Sequence, residues 1–269
     1  MIKFFRQIRK NLTEQSKTCK YLKYAIGEII LVVIGILIAL SMNNWNTKRQ
    51  NKIEETNILF QLEEEYKGKL DELNQKVTIR NLMIEGTHKI LENINQENYN
   101  LPIDSLNIYI GQSILTPTYN ASNAVTEELL NSGKLYLISN KKLRKLITEW
   151  SGQLEKLIEE EQYLVNTYIS NIDPYMNKIY PMNNTVSPIF HPSKETSNNF
   201  SKTQTSKDYK PKHSNKTVDI KALFNDLEFE NYMGQINEYS VAGNMQSEDI
   251  RMIIESVLTL INSELKGKQ

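Results

Sequence analysis

The chain has 269 residues and a formal net charge of zero, because 32 lysines and arginines balance 32 aspartates and glutamates. This balance argues against a nucleic-acid-binding surface, which needs clustered positive charge. Hydrophobic residues make up 39% of the chain, enough for a folded core, and the single cysteine, Cys19, excludes an intramolecular disulfide.

A basic arm, residues 1–23, precedes an apolar stretch, residues 24–42. At ~1.5 Å per residue the stretch forms a helix of roughly 28 Å, close to the ~30 Å hydrocarbon thickness of a bilayer. Glu28 is its only acidic or basic residue and lies about one turn inside its start. The sequence therefore predicts one transmembrane helix. A cleavable signal peptide is the alternative, because Ala39-Leu40-Ser41 has the spacing of a cleavage site.

Charges and aromatic residues on the two sides of the span predict its orientation. Acidic residues offset the few basic residues that follow the span, whereas the arm has a single acid, Glu14. The positive-inside rule therefore places the N-terminus in the cytoplasm and residues 43–269 outside. The basic cytoplasmic flank consists of Lys3, Arg6, Arg9, Lys10, Lys17, Lys20 and Lys23, and the predicted interface anchors are Tyr21, Tyr24 and Trp45.

Small residues follow one face of the predicted span. Gly27, Leu31, Gly35 and Ala39 recur at fourfold spacing, and Glu28 borders the same face. A small-xxx-small pair lets a second helix approach closely, so this face is a candidate transmembrane packing seam for a partner or a second copy. Glycine is also simply common in membrane helices, and both interpretations stay open.

Two blocks of sequence carry a resemblance. Residues 20–40, KYLKYAIGEIILVVIGILIAL, followed by NNWN at 43–46, and residues 128–144, ELLNSGKLYLISNKKLR, resemble a family of uncharacterised single-pass membrane proteins of Bacteroidota-type bacteria. The blocks cover about a sixth of the chain. The resemblance implies an inner-membrane anchor with a helical periplasmic domain. It implies no catalytic residues.

Residues 53–94 have apolar side chains at alternating three- and four-residue steps, which predicts a long helix that can be continuous with the span. The run Glu63-Glu64-Glu65 is assigned to its solvent-facing side. Two short helices are predicted next, over residues 103–115 and 122–130. Gly133 is placed to end the second of them in a left-handed conformation.

A further helix is predicted to begin at a cap formed by Ser139 or Asn140 and to end by Pro174, with Trp150 on its apolar stripe. Residues 174–217 contain five of the seven prolines and few apolar residues, which predicts a flexible or extended insertion. After it, Asp219 and Ser247 are candidate caps for two C-terminal helical segments, which can also form one long bent helix.

The pattern as a whole predicts an all-α protein, with one transmembrane helix followed by an antiparallel bundle of long helices. Because no phosphate loop, nucleophile elbow or metal-binding motif occurs, we assign no catalytic, cofactor-binding or metal-ligating residue. The expected function is non-enzymatic: a membrane-anchored module that binds or scaffolds another envelope protein, or forms homo-oligomers. A small-ligand sensor that acts through a partner is the alternative, and an envelope hydrolase ranks last.

Overall fold

The computed structural model describes residues 18–94, 96–97, 100–185 and 213–267, although not the side chains of residues 18–21 and 24. Every regular element in these ranges is a helix, which confirms the all-α class. The long elements are joined by short 3₁₀ turns at Lys134–Leu137 and Met182–Asn184 and by a π-helical turn at Tyr168–Ile172. The α-helices are α1 Thr18–Ile94, α2 Ile103–Ser113, α3 Ala124–Asn131, α4 Lys141–Thr167, α5 Asp173–Ile179, α6 Ile220–Phe224 and α7 Leu227–Lys266.

The chain divides into two compact units, Met1–Asn57 and Ile58–Gln269. The described element of the first unit is the part of α1 up to residue 57. The helix passes through the apolar stretch without a break. No proline occurs before Pro102, so nothing removes a backbone donor from this helix. The side chains of residues 29–45 are exposed within this unit. This is the one helix of the described part that is long and apolar enough to cross a membrane.

In the second unit, four long parts of the chain, taken in sequence order, alternate in direction. The first is α1 beyond residue 57, and the second returns along it, since the Tyr119 hydroxyl donates to the Lys69 carbonyl (3.1 Å) and Val125 N–H donates to Glu65 (2.6 Å). The third and fourth parts, α4 and α7, run antiparallel, since Asn140 at the start of α4 donates to Glu264 near the end of α7 (2.8 Å) and Tyr163 contacts Tyr239. The arrangement supports the predicted antiparallel bundle.

The returning part differs from a single bundle helix. It consists of α2, an extended stretch over residues 114–123, and α3. Pro117 lies in the extended stretch and has no N–H to continue a helix. In its second half α2 lies very close to α1, because a Cβ built on Gly86 would come within 2.6 Å of the Tyr109 carbonyl oxygen. Glycine is therefore required where these two helices meet.

The predicted end of α3 and the predicted start of α4 are confirmed. Gly133 has φ of +69°, the left-handed conformation that glycine adopts without steric cost. The Asn140 side chain accepts hydrogen bonds from the backbone N–H groups of Lys142 (2.9 Å) and Leu143 (3.1 Å). It therefore satisfies two of the donors that the first turn of α4 leaves free.

The prediction that this helix ends by Pro174 holds for α4 itself, which ends at Thr167, but not for the helical structure that follows it. Helical structure continues from α4 through the π-helical turn into α5, which ends at Ile179. Pro174 lies in the first turn of α5, where the wider π-helical turn precedes it and the loss of one N–H is tolerated. The predicted insertion therefore begins after α5, and residues 186–212 of it lie outside the described residues.

The C-terminal part also corrects the sequence interpretation. Asp219 is a cap, as predicted, but it caps only the five-residue α6. Asp226, which the sequence did not single out, caps the 40-residue α7 by accepting from Glu228 N–H (2.9 Å). Ser247 is not a cap: it lies inside α7, where its hydroxyl donates to the Gly243 carbonyl one turn earlier (2.8 Å).

Candidate functional site

Charged and polar side chains divide the apolar core of the bundle into two clusters. The first cluster contains Leu62, Tyr66 and Trp150, and the second contains Met83, Phe229 and Ile236. Trp150 is fully buried, as its place on the apolar stripe predicts. Between the clusters lie Arg80 and Glu161, one on α1 and one on α4.

Arg80 and Glu161 form a buried ion pair, with side chains 2% and 4% exposed. Arg80 also donates to the Ser247 hydroxyl (2.7 Å) and the Gly243 carbonyl (3.3 Å) of α7, and Glu161 accepts from Tyr119 N–H (2.7 Å). Burial raises the pKa of Glu161, and the Tyr119 N–H and the Arg80 guanidinium oppose that rise. The pair therefore joins three helices and the extended stretch.

Gly243 makes room for the Arg80 side chain. A Cβ built on Gly243 would lie 3.1 Å from Arg80 Nε and 3.2 Å from Arg80 Cδ. Ser240 and Ser247, one turn to either side on α7, are also fully buried. Small residues on α7 thus form the notch that admits the Arg80 guanidinium into the core. This explains why Gly243 and Ser247 lie inside the helix rather than at its ends.

A second buried ion pair lies nearer the start of the bundle part of α1. Lys69 donates to Glu65 (2.7 Å), Asn123 (2.9 Å) and the Thr126 hydroxyl (3.2 Å). Its ammonium group is also 4.2 Å from the centroid of the Tyr66 ring and 4.6 Å from that of Trp150. Burial lowers the pKa of Lys69, while the bonds to Glu65 favour its charged form.

Glu65 corrects the assignment of Glu63-Glu64-Glu65 to a solvent-facing side. Glu64 is 79% exposed, but the Glu65 side chain is only 3% exposed. Glu65 accepts from the N–H groups of Val125 (2.6 Å) and Thr126 (3.3 Å), and so it caps α3 from a different helix. The position of Glu65 in the sequence could have indicated its burial. Glu65 and Lys69 are four residues apart, and both lie beside the apolar stripe of Leu62, Tyr66 and Leu73.

Four tyrosines form a surface strip where α4 and α5 contact α7. The rings of Tyr163 and Tyr239 lie 4.6 Å apart, and those of Tyr175 and Tyr232 lie 5.2 Å apart. Tyr232 and Tyr239 are seven residues apart on α7, two helical turns, so both pairs lie on the same face. Tyr163 is 54% exposed and the other three are half-buried. We call these residues the tyrosine strip.

Carboxylates are fixed beside these rings. The Tyr175 hydroxyl donates to Asp226 (2.7 Å) and the Tyr232 hydroxyl donates to Glu228 (3.0 Å). The bond from Tyr175 lowers the pKa of Asp226, so this carboxylate is ionised at neutral pH. A hydrogen bond with Tyr163 raises the pKa of Tyr239 to about 12. No local sequence pattern indicates this strip, because its members come from separate helices.

The predicted transmembrane packing seam lies on one uninterrupted helix, and a Cβ built on Gly27 or Gly35 meets nothing within 4 Å. Whether another helix covers it stays a prediction. Of the interface anchors, Trp45 is 67% exposed, whereas the side chains of Tyr21 and Tyr24 lie outside the described residues. The basic flank is outside them too, except for the backbone of Lys20 and the exposed Lys23. No group of three acidic, histidine or cysteine side chains suited to a metal occurs among the described residues.

Comparison with known proteins identified a family but not an activity. The profile of a family of unknown function, DUF6090, matches residues 28–180, from the apolar stretch of α1 to the residue that follows α5. No curated protein matches the chain, and no solved structure matches it. Because the matched region is more than half of the sequence, the chain belongs to the family of unknown function DUF6090.

Proposed function

We propose that this protein is a membrane-anchored, non-enzymatic helical module that binds or scaffolds another protein of the bacterial envelope. In this proposal its helix spans the inner membrane once, with the basic arm in the cytoplasm and residues 43–269 in the periplasm. The function would reside in surfaces that the bundle presents to its partner.

The observation that carries the proposal is the exposure of the apolar part of α1. The side chains of residues 29–45 make no buried contacts within their unit, and this part of the helix is long enough to cross a bilayer. So much exposed apolar surface needs lipid or protein to cover it. The excess of basic residues before the span supports the orientation.

The buried charges support a scaffolding role for the bundle. Each buried charge forms a hydrogen bond to a neighbouring helix or to the extended stretch; the four residues are Arg80, Glu161, Lys69 and Glu65. A different arrangement of the helices would separate the paired charges and leave one of them uncompensated in the core. The ion pairs therefore favour one arrangement of helices. The charges thereby hold a framework whose outer faces have defined positions.

The orientation can be tested by thiol labelling in spheroplasts of the native host. Cys19 is the only cysteine, and Ser170 is exposed on the second unit. A membrane-impermeant maleimide should label C19S/S170C and leave wild-type Cys19 unlabelled until the membrane is permeabilised. Labelling of Cys19 in intact spheroplasts would contradict the proposed orientation.

Partner binding can be tested by photo-crosslinking in the same cells, from single sites on the exposed faces of α4 and α7. We expect one protein to be captured in a stoichiometric complex that survives gentle detergent extraction. If no site captures a neighbour, scaffolding is excluded. The ligand-sensor and hydrolase alternatives have no particular contact in the bundle to favour them and stay predictions.

A further inference from the structure

The protein is neutral overall, but its charges are unevenly distributed along the two stretches of chain that carry the tyrosine strip. Residues 157–177 and 222–250 contain no lysine and no arginine. The same two stretches contain ten acidic residues, of which Glu161 is paired in the core with Arg80 and Glu248 is paired at the surface with Arg251 (3.0 Å). They are Glu159, Glu160, Glu161, Asp173, Asp226, Glu228, Glu230, Glu238, Glu248 and Asp249.

The strip combines these charges with exposed aromatic rings. Tyrosine is enriched at protein interfaces because it offers a large, rigid contact area together with a polar end. The Tyr163 ring is more than half exposed, and the other three rings of the strip are half-buried. The strip thus presents aromatic side chains to a partner.

The spacing of rings and carboxylates suits one chemical group in particular. A guanidinium is planar: it stacks on an aromatic face and at the same time forms paired hydrogen bonds with a carboxylate. Asp226 and Glu228 are held at tyrosine hydroxyls, so a ring and a carboxylate are already adjacent before anything binds. A lysine ammonium can use the charge but not the stacking.

We propose that the tyrosine strip, with the carboxylates of α4, α5 and α7 around it, is the docking surface for an arginine-bearing segment of the protein partner. This inference rests on the proposed function and specifies the chemistry of that partner. The charge complementarity selects a basic segment, and the rings select arginine over lysine.

The test compares decaarginine with decalysine, as probes that bind to the purified full-length protein in a non-ionic detergent. We expect decaarginine to bind at least about fivefold more tightly, since each ring that stacks on a guanidinium favours it about threefold. The variant Y163L/Y232L should lose this preference and keep the affinity for decalysine within about twofold. Its unfolding transition, followed by circular dichroism, shows whether the bundle is intact.

The matched control is Tyr136→Leu, which removes a tyrosine that is 68% exposed on the 3₁₀ turn before α4, outside the strip. It should leave both affinities unchanged. Equal binding of the two peptides to the wild type would overturn the proposal, because charge alone would explain it. A preference for arginine that Y136L removes and Y163L/Y232L keeps would overturn it as well.

Two further outcomes separate this proposal from others. Residues 186–212 of the same chain contain five lysines. Replacing these lysines with glutamine should leave the affinity for decaarginine within twofold. A larger gain in affinity would mean that this segment of the chain itself occupies the strip, and would overturn the proposal. In cells, a photo-crosslinker at Tyr163 should capture the partner. Capture from other faces alone would leave the scaffolding function standing and remove this docking surface.

Discussion

Arg80 shows at the scale of one residue how the core depends on matched charges. Its guanidinium lies between the two apolar clusters and is balanced by Glu161. We predict that Arg80→Met destabilises the protein by about 3–5 kcal/mol, because Glu161 would remain as a buried, unpaired charge. Chemical denaturation measures this difference. The double variant R80M/E161L should recover much of the loss; if it is as unstable as the sum of the single variants, the pair is not coupled.

Two glycines of α7 provide a second prediction at this scale. Gly243→Ala should destabilise the protein, because its Cβ would push against Arg80, whereas a Cβ at Gly234 meets nothing within 4 Å. Alanine favours a helix interior over glycine by about 0.5–1 kcal/mol, so Gly234→Ala should stabilise. Thermal unfolding compares the two variants. A shift of the same sign and size in both would contradict the role given to the Gly243 notch.

At the scale of helices, the start of α7 depends on Asp226. Replacing an aspartate cap with alanine costs about 1 kcal/mol, so Asp226→Ala should lower the free energy of unfolding by that amount at pH 7. The bond from Tyr175 holds the folded-state pKa of Asp226 below its ordinary value. The contribution is therefore present at pH values above the ordinary aspartate pKa, about 3.9, and is lost as the pH falls through the lowered folded-state value.

Denaturation curves at pH 7 and at pH 2–3 check this expectation. The difference between wild type and D226A should shrink at the acidic end, while Asp219→Ala, which affects only the five-residue α6, serves as the comparison. A difference that stays constant across this range would mean that the ionised carboxylate contributes nothing beyond its hydrogen-bond geometry.

Helices and their ends could be read from local sequence, because their determinants lie within a few residues. The positive φ of Gly133 and the Asn140 cap follow from such local rules. Glu65 and Ser247 were misassigned because tertiary contacts decided their places, a cap on a distant helix and a notch for Arg80. The helical structure around Pro174 was missed because a π-helical turn precedes this proline. The tyrosine strip could not be predicted, since Tyr175 and Tyr232 meet only after α5 packs on α7.

At the scale of the whole molecule, the proposed anchor predicts where the protein is found. Wild type should remain in the membrane pellet after alkaline carbonate extraction, because about 19 apolar residues span the hydrocarbon region. Deletion of residues 24–42 should move the protein to the soluble fraction. Size-exclusion chromatography checks that the deleted form is not aggregated. Retention of a monodisperse deletion variant in the pellet would show that another part of the chain binds the membrane.

The division of the apolar core by Arg80 and Glu161 has a consequence for folding cooperativity. Each cluster contains side chains from α1, α4 and α7, so each can hold its own end of the bundle together. Proteins open in contiguous units, and a polar layer is a natural boundary between two such units. Amide hydrogen exchange should therefore resolve two levels of protection along α7, which change at the turn around Gly243. One end of the bundle could then loosen to admit a partner while the other end stays folded.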